Sequence, residues 1–255
     1  MGAKMNRVYM FDVDGTLTPS RQKMTEKFKK FFREWSNKNK FYLVTGSDLP
    51  KLQEQVPDDI LELSAGLFTC CGNQFWKEGS TKQWPIDWKL QYENKFTPPQ
   101  NLLTYLGEEL RMSDYHHRTG NHIEDRDSLL NFSIVGRNCS TIERENYFKW
   151  DNQNGERKRI STHIREQWSN IDAVLGGQIS IDIYPKGMDK SQIFKHIEEK
   201  ENFYCPDEYY FIGDRTKEGG NDYPLAKLME ETNNCYTFQT TGWEQTQKIL
   251  ESLID

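Results

Sequence analysis

Asp12 and Asp14, in the stretch Asp12-Val13-Asp14-Gly15-Thr16-Leu17, follow directly on the apolar run VYMF at residues 8–11. Two carboxylates at that spacing can divide the work of phosphoryl transfer. One attacks phosphorus and carries the group as an aspartyl-phosphate, while the other protonates the departing oxygen and later activates an acceptor. Gly15 permits the tight turn beside them. Like charges this close call for a cation, and hard carboxylate oxygens suit Mg²⁺. By itself such a pair could equally be a Ca²⁺-loop fragment or a solvated turn. Other groups argue against that. In FIGDRTKEGGND, Asp214 ends an apolar run and completes an expected metal set of Asp12, Asp14 and Asp214. Asn221 and Asp222 return after the glycine-rich loop and suit supporting roles behind the metal. Lys190, in KGMDKSQIF, stands at a helix start where an ammonium can neutralise the nucleophile and the transferring group. Thr45 and Ser47, flanking Gly46, offer hydroxyl and backbone N–H donors for phosphate ahead of a helix.

These side chains are useful only if the elements around them converge. VYMF reads as a buried parallel strand delivering Asp12 to its carboxyl end, where open parallel sheets keep their ligand sites. Phe28, Phe31, Phe32 and Trp35 follow i, i+3, i+4, i+7 spacing and mark an amphipathic helix. FYLVT at 41–45 is a second buried strand, DLPKLQEQV a second helix, and EYYFIGD at 208–214 a further parallel strand. The alternation predicts an α/β fold, a Rossmann-like core with a parallel sheet. From Trp84 to Lys186 the texture changes. LLNFSIVGR (129–137) and QISIDIYP (178–185) alternate polar with apolar, as an antiparallel sheet with one solvent-accessible face requires. A charged stretch between them is helical at both ends. The expected organisation is a core of residues 1–82 and 187–255, split by an inserted α+β domain at 83–186.

The net charge of −6 argues against a nucleic-acid partner, which would favour a basic footprint. It leaves room for phosphorylated substrates, because a local arginine cluster can hold phosphate inside an acidic protein. No run approaches the roughly 20 apolar residues that cross a bilayer, so no membrane partner is expected. Five cysteines without metal spacing suggest reduced thiols in a cytoplasmic chain, with Cys70 and Cys71 as buried filler.

DVDGT, TGS, Lys190 and GDRTKEGGND, in that order, resemble the four motifs of haloacid dehalogenase superfamily phosphotransferases, and the inserted stretch resembles their type 2 cap. More narrowly, FDVDGTLTPSRQK, GSDLPKLQEQ, GGQISIDIYPKGMDK and GDRTKEGGND resemble eukaryotic-type phosphomannomutase. That likeness runs through nearly the whole chain and is weakest over residues 72–120. It implies a hexose phosphate substrate, with mannose 1-phosphate and mannose 6-phosphate interconverted through phospho-Asp12. Asp14 would be acid and base, Mg²⁺ the cofactor, a hexose bisphosphate the primer, and a homodimer would form through the cap. The same likeness implies that Arg21 lies beside the catalytic loop and that Arg126, Arg137 and Arg144 hold the distal phosphate. Ser180 and Asp182 would lie near the sugar and that phosphate. Several guanidinium groups on one domain also suit a substrate with a phosphate at each end. Alternatively, these arginines balance glutamates on a solvated face, as Glu143 and Glu145 around Arg144 would allow. A sugar-phosphate phosphatase is the other reading of the scaffold, differing in whether water or a sugar hydroxyl meets the phosphoenzyme. Thr45 stands where the family carries glycine and Asp127 where it carries asparagine. YPLAKLMEE replaces the family's second cation loop, so no second metal site is carried over.

Overall fold

The computed structural model describes residues 5–79, 87–201 and 206–253. Along the chain run β1 (Arg7–Asp12), α1 (Glu26–Ser36), β2 (Lys40–Val44), α2 (Leu49–Gln55), α3 (Asp58–Leu61), β3 (Leu67–Thr69), β4 (Gln74–Glu78) and β5 (Trp88–Glu93). Next come α4 (Gln100–Met112), β6 (Ile123–Asp125), β7 (Leu130–Phe132), α5 (Thr141–Asn154), α6 (Glu156–Gln167), β8 (Ile171–Gly176) and β9 (Ser180–Pro185). The last part holds α7 (Ser191–Glu201), β10 (Glu208–Gly213), α8 (Tyr223–Glu230), β11 (Cys235–Gln239) and α9 (Trp243–Ser252). The described residues of 1–93, 189–218 and 222–255 make one unit, and those of 94–188 with 219–221 a second.

The first unit is built on a seven-stranded sheet in the order β11-β10-β1-β2-β3-β4-β5. Strands β11 to β3 are parallel, and β4 and β5 extend them antiparallel. β1 is central and reads as unbroken apolar because both its faces are buried. Val8 and Met10 enter one cluster, Tyr9 and Phe11 the other. α1 begins at Thr25, whose side chain accepts from the Phe28 N–H, and lays Phe28, Phe32 and Trp35 over the second face. Phe32 meets Phe11 edge-on at 5.3 Å between ring centroids, and Trp35 meets Tyr9 at 4.8 Å. Each such buried aromatic contributes about 1.5–3 kcal/mol, and together they anchor the strand that ends at Asp12. Cys70 and Cys71 are buried in this unit, though both hold left-handed backbone conformations.

The junction expected at residue 83 falls in 80–86, outside the described residues. Beyond it, β5 pairs with β4 in the large sheet, so the second unit starts at Asn94 and not before Trp88. An alternating edge strand has the same texture whichever antiparallel neighbour it joins, and composition cannot assign it.

The second unit has a four-stranded antiparallel sheet in the order β6-β7-β9-β8. Leu130, Phe132, Ile181 and Ile183 pack with Leu102 and Leu106 of α4 and Ile160 and Ile164 of α6. A capping box of Ser140 and Glu143 starts α5, and Gly155 ends it in the left-handed region. There Asp151 and Arg157 form a buried ion pair at 2.7 Å. Two expectations are corrected here. The strand read over 129–137 shortens to Leu130–Phe132, because the chain beyond it bonds residues 119–122: Ser133 N–H donates to the His122 carbonyl and Arg137 N–H to that of Asn121. The polar side of the sheet is open to solvent only in part, Glu124, Asp172 and Val174 being half-buried. Asn131, Ser180 and Asp182 are buried, and Asn131 Nδ2 donates to Asp182 Oδ1 at 2.6 Å. No described helix is long and apolar enough to cross a membrane.

Candidate active site

β1, β10 and β2 are neighbours in the sheet, so the residues at their carboxyl ends converge. Asp12 closes β1 opposite Val44 of β2, which leads into Thr45, while Gly213 closes β10 and leads into Asp214. After Asp12 the chain turns tightly, with Gly15 N–H donating to the Thr18 carbonyl and Thr16 N–H to that of Val13. Gly15 has φ +82°, and a Cβ there would lie 2.6 Å from Asp214 Oδ2. Only glycine lets the two loops close this far. The Thr16 hydroxyl donates to Asp12 Oδ2 at 3.1 Å, and the Thr246 hydroxyl of α9 donates to the Thr16 carbonyl at 2.8 Å.

Lys190 is fully buried immediately before α7. Its Nζ donates to Asp12 Oδ1 at 2.8 Å and to Asp222 Oδ1 at 2.6 Å. The second oxygen of Asp222 accepts the Arg215 N–H at 3.0 Å. Burial works to strip the proton from Lys190, but the Asp12 and Asp222 carboxylates override it and hold its pKa well above the ordinary value. Asp12 is pushed up to about 7, chiefly by burial and further by Asp222 and Asp14, against the pull of Lys190. Asp214 is raised by burial and by the charges of Asp12 and Asp222.

Asp12, Asp214 and Asp222 each bring a carboxylate oxygen into a group whose members all lie within 4.8 Å of one another. Three carboxylates against one ammonium leave a charge deficit that a divalent cation would neutralise. The all-oxygen donor set fits a hard ion such as Mg²⁺. The trio differs from the set expected from sequence. Asp222 belongs to it, and the Asp14 side chain does not. Asp14 Oδ1 accepts from the Arg21 N–H and from Gln55 Nε2 at 2.8 Å, and Oδ2 accepts from the Ser47 hydroxyl at 3.4 Å. These donors, all outside the acidic trio, hold the Asp14 carboxylate away from it.

The other expected site residues divide by unit. Thr45 and Ser47 follow β2, but the Ser47 N–H is already given to Thr45 Oγ1 at 3.0 Å, and α2 is capped by Asp48. The TGS segment therefore presents Ser47 Oγ to Asp14 and does not offer the Ser47 N–H as a free donor. Arg21 reaches Asp14 through its backbone from a left-handed conformation, φ +58°. In the second unit Arg126 and Arg137 converge on Glu124 Oε2, at 2.8 and 3.0 Å, and Arg137 also donates to the Ser180 hydroxyl. Arg144 is buried, which removes the solvated-face reading of it. Its neighbour Glu143 closes the capping box and pairs with His117. Asn221 groups with the second unit, next to Asp222 in the first. Gln55, Thr16, Glu124 and Asn131 were not singled out from sequence. Thr16 and Gln55 carried a signal, Thr16 inside DVDGT and Gln55 at the end of GSDLPKLQEQ.

The family model of eukaryotic phosphomannomutase matches residues 28–255. A phosphomannomutase of Encephalitozoon cuniculi (strain GB-M1) is 39% identical over 221 residues, covering 86% of this chain and 83% of that protein. One from Spinacia oleracea is 34% identical over 253 residues, covering 98% of each. Among solved structures, a haloacid dehalogenase-like hydrolase from Bacteroides thetaiotaomicron superposes with a TM-score of 0.56 at 13% identity, covering 97% of this chain and 99% of that one, which speaks for the fold alone. The strand-end carboxylates, the buried lysine and the full-length likeness lead to one assignment: the chain belongs to the eukaryotic phosphomannomutase family, on a haloacid dehalogenase fold.

Proposed function

We propose that the protein interconverts mannose 1-phosphate and mannose 6-phosphate through a phosphorylated Asp12, primed by a hexose bisphosphate. The observation that carries this reading is Asp12 itself, a buried carboxylate at a strand end whose Oδ1 is held by Lys190 beside two further carboxylates. Asp12, Asp214 and Asp222 would hold Mg²⁺, which when bound supplies positive charge to the nucleophile and the phosphoryl oxygens.

The chain's own groups do the rest. Lys190 keeps Asp12 aimed and offsets charge that builds on the phosphoryl oxygens. Thr16 orients the other Asp12 oxygen. Asp14, kept apart from the acidic trio by Gln55 and Arg21, gives a proton to the departing sugar oxygen and takes one from the incoming hydroxyl. Arg126, Arg137 and Arg144 grip the phosphate that is not reacting, with Ser180 and Asp182 near it and the sugar. That grip is what keeps a bisphosphate bound long enough to turn and be dephosphorylated at its other end. The likeness to the family supports a homodimer through the second unit, which sedimentation would test.

The deciding experiment is ³¹P NMR of the protein with Mg²⁺, mannose 1-phosphate and a trace of hexose 1,6-bisphosphate. Growth of the mannose 6-phosphate resonance is expected. Release of inorganic phosphate with no 6-phosphate, even when primed, would make the protein a sugar-phosphate phosphatase.

A further inference from the structure

Gln55 is the last residue of α2 and is 2% exposed. Its side-chain amide faces acceptors: Asp14 Oδ1 at 2.8 Å, Thr18 Oγ1 at 3.3 Å and the Gln22 carbonyl at 3.5 Å. Its own backbone carbonyl accepts the Met24 N–H at 2.8 Å. One residue of α2 thus stitches down the whole loop that follows β1. The orientation of the amide is settled by this network. Thr18 donates its hydroxyl proton to the Val13 carbonyl, so toward Gln55 it can only accept. Turned over, Gln55 would set its carbonyl oxygen against acceptors. As it stands, Oε1 is buried without a partner among the described residues, a costly arrangement that the chain tolerates in order to aim the NH₂ group at Asp14.

Two donors meet on one oxygen of Asp14. The Arg21 N–H and Gln55 Nε2 both bond Oδ1 and occupy its in-plane lone pairs. Oδ2, whose contact among the described residues is the long one to the Ser47 hydroxyl at 3.4 Å, is the oxygen left to carry a proton.

We propose that Gln55 is a positioning residue for the acid–base step, which with the Arg21 amide fills Asp14 Oδ1 so that the transferred proton rides on Oδ2. The proposal rests on the function put forward above. In the forward step an Asp12 oxygen bonds to phosphorus while the bond from phosphorus to the sugar oxygen breaks. The electron pair stays on the sugar oxygen, which takes the proton from Asp14 Oδ2. In the return step a sugar hydroxyl oxygen bonds to phosphorus while the Asp12 oxygen–phosphorus bond breaks, its electron pair returns to the Asp12 carboxylate, and Oδ2 takes up the hydroxyl's proton. Without Gln55 the carboxyl group can rotate, and its proton spends time on the wrong oxygen. Substrate binding does not use Gln55, so the loss belongs in kcat.

The test exploits leaving groups. Departure of a sugar alkoxide needs a proton; departure of acetate from acetyl phosphate does not. Gln55→Met keeps the length of the side chain and removes the donor, and Gln55→Glu keeps the length and cannot donate as a carboxylate. For each, the expected result is a fall in kcat for mannose 1-phosphate isomerisation of about tenfold to a hundredfold. That is part of the roughly 10²–10⁴ that general acid–base catalysis supplies. KM should stay within about threefold, as should the rate of phosphoenzyme formation from acetyl phosphate. Two variants guard against one of them failing to fold, and circular dichroism reports which is native. If the isomerisation and acetyl phosphate rates fall together in a folded variant, Gln55 only supports the loop and the proposal is overturned. Unchanged isomerisation overturns it as well. A wild-type protein that never isomerises overturns the proposed function instead, and the same split is then read on phosphate release from mannose 1-phosphate.

Discussion

Replacing Lys190 by methionine keeps the apolar stem of the side chain and deletes its charge. In the structure Nζ is buried and sits 2.8 Å from Asp12 Oδ1 and 2.6 Å from Asp222 Oδ1. Deleting one partner of a buried ion pair costs about 3–5 kcal/mol. Here two carboxylates lose their counter-charge at once, which puts the loss toward the upper end. A carboxylate can limit that cost by taking a proton. Asp12 already stands at about 7 with Lys190 in place, mainly because it is buried, and removing the lysine moves it higher. The sign follows from linkage. A carboxyl whose folded pKa exceeds its unfolded value binds more protons in the folded chain, so its contribution is present at low pH and is lost as pH rises through the folded pKa. For the wild type that loss runs from about 3.8 to about 7; in Lys190→Met it extends to higher pH. The variant is therefore expected to be less stable than wild type at both pH values, by a smaller margin near pH 5, where Asp12 is protonated, and by about 3–5 kcal/mol near pH 8. Urea denaturation in metal-free buffer at the two pH values measures this. Phosphotransfer should fall by about 10²–10³, as when one donor to a developing oxyanion is removed. A stability loss below about 1 kcal/mol near pH 8, or one that does not vary with pH, would refute the role of Lys190 as counter-ion to these carboxylates.

Asp12→Asn should abolish phosphotransfer, since the amide can neither attack nor serve as an anionic ligand; a steady-state rate within about tenfold of wild type would reassign the nucleophile. EDTA should do the same to the wild type, and activity that survives chelation removes the metal from the chemistry. Gly15→Ala combines a left-handed backbone with a Cβ 2.6 Å from Asp214 Oδ2. It should cost about 1–3 kcal/mol in thermal or urea unfolding and weaken Mg²⁺ binding measured by calorimetry; unchanged binding would mean that Asp214 has room to move. Arg137→Ala removes charge-assisted bonds worth about 1.5–3 kcal/mol. Isomerisation of mannose phosphate should drop steeply while para-nitrophenyl phosphate hydrolysis, which has no second phosphate, persists; parallel loss would show that Arg137 supports the second unit's fold through Glu124 and Ser180.

Much of this protein was legible because its signals are local. VYMF ahead of Asp12 and EYYFIG ahead of Asp214 are buried on both faces of a parallel sheet, and such strands must be continuously apolar wherever they lie. The α1 aromatics repeat with the helical period because one face meets the sheet. Asp12, Asp214 and Lys190 could be nominated because strand ends and helix starts are where a parallel sheet keeps its ligands.

What the sequence left open depended on which groups meet across long separations. Texture put residues 88–93 in the inserted domain, but β5 joins the large sheet, since pairing is a choice of partner and not of composition. The polar residues of β7 and β9 alternate as if one face were wet, yet Asn131, Ser180 and Asp182 are buried, Asn131 bonding Asp182 and Arg137 bonding Ser180. The sequence reading set Asp14 with Asp12 and Asp214, and Asp222 behind them, yet it is the Asp222 carboxylate that groups with the other two. That was decided by Gln55 and Arg21 drawing one carboxylate aside while Lys190 and the Arg215 amide hold the other in place, contacts that exist only once the loop after β1, α2 and the loop after β10 are packed on one sheet edge.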